Sequence, residues 1–159
     1  MQDLVRELAA RGVTLAVAES DTGGLLLEQL TAVPGSSAVV IGGVVAYADT
    51  LKVSTLGVPL ETLRDHGAVS AETAEAMAVG VQKLAGTSVG VATTGIAGPG
   101  GATPTKPVGL AYVAVASAAG TVVREYHWQG DRDSNRAASV AAAADLLRAT
   151  IVSNLEQVC

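Results

Sequence analysis

Phenylalanine is absent from the 159 residues, and aromatic residues of every kind make up only 3%. A core without large rings has to be assembled from Val, Leu, Ile and Ala, side chains that pack closely between helices and a sheet. Cysteine occurs once, as the terminal Cys159. That excludes an internal disulfide framework and a Cys/His zinc site, and it points to a reducing, intracellular setting. Basic residues are scarce too: ten Lys and Arg face fifteen Asp and Glu, for a net charge of −5. Nucleic-acid-binding domains usually carry a basic stripe, so no nucleic-acid partner is expected. No apolar run approaches the roughly 18 residues of a membrane span, and Met1 to Arg11 has acidic residues and helical periodicity rather than a basic start followed by an apolar run. The expectation is a soluble, cytoplasmic protein with no membrane partner.

What is present suits one domain over residues 1–159: the chain is 49% hydrophobic and shows no linker or internal repeat. Leu4, Val5, Leu8 and Ala9 recur at helical spacing before Gly12, and Val13 to Ala18 reads as a short buried strand. Thr22 to Val33 reads as an amphipathic helix ended by Pro34-Gly35. Ala38 to Ala48 reads as a long, mostly buried strand, with Gly42-Gly43 marking a bulge. Short helices are expected at Asp49 to Leu56 and Pro59 to Asp65, then a longer one capped by Ser70 and running to Leu84. Ser88 to Thr93 and Val108 to Ser117 read as strands, with Val122 to Trp128 closing a hairpin and Arg132 to Leu155 forming a long Ala-rich helix. The hairpin turn is too short for a parallel crossover, so the fold class is α/β, a mixed sheet flanked by helices in three layers. The apolar second strand and the Ala-rich last helix offer a face for a homodimer or higher homo-oligomer.

Two glycine-punctuated loops each follow an apolar, β-branched run: Ala18 to Gly24, and Thr93 to Gly101. Ligands of open α/β sheets gather at the carboxyl ends of strands, so two such loops predict one shared pocket. Ser20 lies between a strand end and a helix start, where a hydroxyl stands exposed and helix N–H groups stabilise developing negative charge. Two readings of it are open: a nucleophile, or, with Asp21, a cap for the following helix. The histidines, His66 and His127, have no acid beside them in sequence, and read as a helix-end residue and an outward strand residue. Lysine is the alternative base in Ser-Lys variants of triad chemistry. Of the three lysines, Lys52 lies just beyond Tyr47 at a strand end, Lys83 ends a surface helix, and Lys106 sits in a Pro-bounded loop and reads as facing water. Thr94 and Gly95 offer a hydroxyl and a backbone N–H, while Gly98, Gly100 and Gly101 could form an anion nest. The spacing matches neither a Walker loop nor a dinucleotide fingerprint. Arg132 and Arg136 share one face at the start of the last helix behind the N-cap Asp131, placed either to grip phosphate or to face solvent.

Taken in order, these stretches resemble the C-terminal domain of the CinA (competence/damage-inducible) family, which includes stand-alone nicotinamide mononucleotide deamidases. The resemblance runs nearly end to end: AES-x-TGG at Ala18 to Gly24, PGSSA at Pro34 to Ala38, GGVVAY at Gly42 to Tyr47 with Lys52, and LGV at Leu56 to Val58. It continues through HGAVS at His66 to Ser70, TGIAGPGG at Thr94 to Gly101, KPVG at Lys106 to Gly109 and GDR at Gly130 to Arg132.

The resemblance implies hydrolysis of the nicotinamide mononucleotide carboxamide to the acid and ammonia, with a small-molecule nucleotide substrate and no metal or organic cofactor. By motif, Ser20 would be the nucleophile, Lys52 and Tyr47 candidates for activating it, and Thr94 with Gly95 a substrate or oxyanion contact. Thr22, Gly23, Gly98, Gly100 and Gly101 would line the substrate site, and Arg132 or Arg136 would hold the phosphate. Family members commonly carry cysteine after the serine, where this chain has Asp21. A carboxylate there is free to cap the helix, to pair with Lys52, or to repel a phosphate, and it motivates a second reading: a pocket that binds a nucleotide or other phosphorylated metabolite without turnover. The family also occurs behind a larger, molybdopterin-binding-like domain, which has no counterpart in these residues.

Overall fold

The computed structural model describes residues 1–156, with side chains to residue 151, so Cys159 lies outside the described residues. A five-stranded sheet has the order β2-β1-β3-β4-β5, built from β1 (Leu15–Glu19), β2 (Val40–Val45), β3 (Val89–Gly95), β4 (Leu110–Ser117) and β5 (Gly120–His127). β1 pairs in parallel with both β2 and β3, while β3, β4 and β5 pair antiparallel. The helices are α1 (Gln2–Ala10), α2 (Leu25–Thr31), α3 (Asp49–Ser54), α4 (Leu60–His66), α5 (Ala71–Ala85) and α6 (Arg132–Glu156). The expected mixed α/β sheet between helical layers is therefore present. No helix among the described residues is long and apolar enough to cross a membrane.

Strand alternation divides the core in two. Leu15, Val17, Val91, Val113 and Val115 pack with α1, α2 and α6 through Leu4, Leu8, Leu26, Leu30, Val140 and Leu147. On the other face Ala16, Ala18, Ala92, Ala114 and Ala116 meet Ala74, Met77, Ala78 and Val81 of α5. The small residues bring α5 so near the sheet that a Cβ at Gly90 would fall 2.1 Å from the Ala78 carbonyl. Gly90→Ala would drive helix and strand apart, an overpacking cost of about 1–3 kcal/mol.

Two expectations change. The second strand is neither long nor mostly buried: it is the sheet edge, with Ile41 and Val45 exposed and alternate residues half-buried. A bulge does fall there, since Leu15 faces Val40 but Ala16 faces Gly42. The second helix begins at Leu25 rather than Thr22, because Gly23 and Gly24 turn through left-handed φ values of 61° and 97° before it.

β1 is the topological switch point, for the chain leaves it to β2 on one side and returns to β3 on the other. The three parallel strands all end at one edge, where β4 begins and α6 starts at Arg132. That edge is where open α/β sheets place their ligands.

Candidate active site

Beyond β1 the chain turns sharply, and Glu19, not Ser20 or Asp21, supplies the acceptor for the first turn of α2. Its carboxylate takes N–H donors from Gly24 (3.0 Å), Leu26 (3.0 Å) and Leu27 (2.8 Å). Charge, helix dipole and hydrogen bonds act together there, so a fully buried Glu19 is satisfied. Ser20 and Asp21 are thereby released from the capping role that sequence left open for them.

Both face a cavity of about 230 Å³ lined also by Tyr47, Asp49, Lys52, Ala68, Val69, Gly95, Ala97 and Arg132. The two glycine loops thus meet at one site. Lys52 is 1% exposed, and its Nζ lies 3.2 Å from Asp49 Oδ1 and 3.4 Å from the Tyr47 carbonyl. Asp49, one turn earlier on α3, is therefore the partner of Lys52, a role sequence had left open to Asp21. Tyr47 is 60% exposed, and its hydroxyl accepts from Arg132 Nη2 at 3.1 Å, while Arg132 Nη1 donates to the Gly98 carbonyl at 2.7 Å. Arg132 so ties the segment after β2 to the loop after β3 and keeps further guanidinium donors for a ligand.

Asp21 is the anomaly of the cavity. It is 6% exposed, and its Oδ1 has no hydrogen-bond partner. Burial pushes its carboxyl up to about 6; the negative charge of Glu19 adds to the rise, and nearby backbone N–H groups and Arg136 oppose it.

The remaining sequence-nominated residues do not line the cavity, though several brace the segments that do. Thr94 donates from Oγ1 to the Ala68 carbonyl at 2.7 Å, fixing the loop that brings Ala68 and Val69 to the cavity. Lys106, expected to face water, clamps the same loop through the carbonyls of His66 and Val69. Thr22 meets Thr93 hydroxyl to hydroxyl at 2.7 Å in the interior, and Arg136 Nη2 donates to the Thr22 carbonyl at 2.7 Å beside Gly23. Gly100 and Gly101 are exposed in the outer loop. Asn135, not singled out in the sequence, is buried and bridges the Ala97 carbonyl and the Gly130 N–H. His66 and His127 pair with Glu72 and Glu125 away from the cavity. Among the described residues no group of three His, Cys, Asp or Glu side chains is placed to hold a metal ion. A wider groove of about 800 Å³ runs between the Leu56–Pro59 connection and α5. Its charged groups, Glu72, Glu75 and Lys83, are all exposed, and it holds nothing comparable to the buried Lys52 that shares the smaller cavity with Ser20.

Residues 1–151 match the model of the CinA C-terminal domain. The chain belongs to the CinA family. A CinA-like protein of Geobacter metallireducens is 49% identical over 143 residues, 90% of this chain and 35% of that protein. One from Anaeromyxobacter sp. strain K is 51% identical over 145 residues, 91% of this chain and 36% of that protein. The chain thus spans about a third of the length of these curated relatives. Among solved structures, the competence/damage inducible protein CihA from Agrobacterium tumefaciens is 40% identical with a TM-score of 0.88, each chain covered to 93%. The competence damage-inducible protein A (ComA) from Klebsiella pneumoniae is 34% identical with a TM-score of 0.91, covering 95% of this chain and 96% of that one. The CinA fold is therefore shared along the described length. Within this CinA domain, Glu19 and Asp49 fix the surroundings of Ser20 and Lys52, and sequence reasoning missed both. The available signals were an acidic residue directly before the serine and an Asp three residues before Lys52 on a short helix.

Proposed function

We propose that this CinA domain is an amidohydrolase that converts nicotinamide mononucleotide to nicotinic acid mononucleotide and ammonia, with Ser20 as nucleophile. The observation that carries the reading is the placement of Ser20 and the buried Lys52 in one cavity, with Glu19 relieving Ser20 of any capping duty. Ser20 Oγ adds to the carboxamide carbon while its proton passes to the Lys52 amine, whose Nζ is oriented by Asp49 and the Tyr47 carbonyl. The C–N bond then breaks, nitrogen leaves as ammonia with that proton, and water hydrolyses the resulting ester. Tyr47 is the weaker candidate for the base, being mostly exposed and engaged with Arg132. The cavity takes the carboxamide-bearing ring, and the ribose phosphate extends past Arg132 toward Arg136, whose guanidinium groups suit a phosphate. The exposed Ile41 and Val45 of edge strand β2 support a homo-oligomeric assembly.

Ammonia release from nicotinamide mononucleotide tests the reading. Ser20→Ala is expected to lower kcat by at least about a thousandfold while leaving the melting temperature unchanged. Lys52→Met is expected to stay folded, because Asp49 is 59% exposed and rehydrates when its partner is lost, yet to lose about a hundredfold or more in kcat. Turnover that persisted in Ser20→Ala would remove the central claim. The second reading, binding without turnover, is favoured by Asp21 alone: nucleotide binding in calorimetry with no ammonia from the wild type would establish it.

A further inference from the structure

Four charged side chains line the cavity: Asp21, Asp49, Lys52 and Arg132. Asp49 and Lys52 pair with each other, and Arg132 is bonded to Gly98 and Tyr47. Asp21 alone of the four carries a buried side-chain atom with no partner, and the residue is nearly all buried. Its other oxygen lies over Gly95, so close that a Cβ there would stand 2.8 Å from Oδ2. The carboxyl therefore lies against the Gly95 backbone at the floor of the site, where a Cβ would also crowd Ala111 and the Leu110 carbonyl at 3.0 Å. Its terminal torsion is broad and soft, so the carboxyl can turn to meet a group entering the cavity. An ionised carboxylate only accepts hydrogen bonds.

We propose that Asp21 is the amide-reading residue of this site: it accepts an N–H of the substrate's primary carboxamide and so selects amides over esters and over the acid product. The inference rests on the amidohydrolase reading above. A primary amide brings two N–H donors, one of which satisfies the orphaned oxygen. An ester brings only acceptors and leaves that oxygen unpaired, and a carboxylate product meets like charge at close range. Discrimination of this kind is large because the buried polar group of the enzyme, not only the ligand, is left without a partner when the wrong compound binds. The same repulsion drives the acid out after hydrolysis.

Calorimetry on the Ser20→Ala protein, with and without Asp21→Asn, separates this role from catalysis. With Asp21 present, nicotinamide mononucleotide is expected to bind at least tenfold more tightly than nicotinic acid mononucleotide. With Asp21→Asn, whose side-chain amide both donates and accepts, the preference is expected to shrink below threefold, through weaker binding of the amide as well as tighter binding of the acid. In the Ser20-containing protein, Asp21→Asn is expected to lower kcat/KM for the amide at least tenfold. It is expected to change that for the matching methyl ester of nicotinic acid mononucleotide less than threefold. Equal binding of amide and acid with Asp21 in place, or equal losses on amide and ester, overturns the inference while turnover by the wild type still supports the amidohydrolase reading. Neither binding nor turnover of the nucleotide by any form overturns both.

Discussion

Glu19 and Asp21 stand two residues apart where β1 ends, both carboxylates and both almost fully buried. Glu19 receives three N–H donors from the first turn of α2. Asp21 keeps one oxygen with none, and burial lifts its carboxyl to about 6. A buried carboxylate ringed by donors is part of the scaffold, whereas one that folding leaves short of a donor is available to a ligand. The division of labour follows from strand geometry. Side chains alternate along β1, so Glu19 turns toward the layer that holds α2, and the sharp turn after Ser20 carries Asp21 into the cavity formed with the Gly95 segment.

The largest effect in this comparison is expected at Glu19. Glu19→Ala leaves the N–H groups of Gly24, Leu26 and Leu27 without their acceptor, a loss of about 4 kcal/mol at roughly 1–3 kcal/mol per orphaned group. Denaturant melts should show it, and ammonia release should fall in parallel because the turn carrying Ser20 is anchored through that helix. A loss below about 1 kcal/mol would place the capping load elsewhere.

Asp21→Asn is expected to act with the opposite sign. The folded protein holds this carboxyl at about 6 against an ordinary value of 3.8, so folding favours its protonated form. The associated stability is fully present below about pH 3.8 and disappears as pH rises through about 6. Above that range the wild type carries a buried charge that asparagine does not, and the variant should be more stable by at most about 3 kcal/mol at pH 7, with little difference near pH 4. Asp65, Glu125 and Asp131 are held below the usual carboxylate range by their hydrogen-bond partners and titrate with the reverse sign. They are common to both proteins and cancel in the difference curve. A variant that is more stable yet no longer tells amide from acid would show stability given up for function. A flat difference between pH 4 and pH 7 would mean that Asp21 is hydrated in solution.

How much of this was legible beforehand depends on the range of each interaction. Patterning along the chain announced the helices, the strands and the hairpin, because each is encoded within a dozen or so neighbouring residues. The run from Ala38 to Ala48 misled because apolar composition does not report lateral position: only the strand order reveals that β2 is the edge. The motif loops pointed to Ser20, Lys52, Gly95 and Arg132, and all four line the cavity. What could not be read was how the side-chain donors are spent. Thr94 reaches the carbonyl of Ala68 and Lys106 that of Val69, 26 and 37 residues away in sequence. Glu19 caps a helix from five to eight residues upstream, outside the local capping signature.

Arg136 touches both halves of the comparison and should give the smallest and most selective effect. From α6 it donates to the Thr22 carbonyl at 2.7 Å, steadying the turn that Glu19 also anchors, and its positive charge opposes the rise in the Asp21 carboxyl. Its side chain is about a quarter exposed and partly engaged by Asp133 at 3.7 Å, so solvent screens much of that influence. Arg136→Met keeps the stem packed and removes the charge, and a loss of about 1 kcal/mol is expected from the single hydrogen bond. The decisive readout is pH: the midpoint at which the wild type loses stability relative to Asp21→Asn should lie higher in the Arg136→Met background. A midpoint that did not move would mean that the Arg136 charge does not reach Asp21 and that Arg136 serves only the turn.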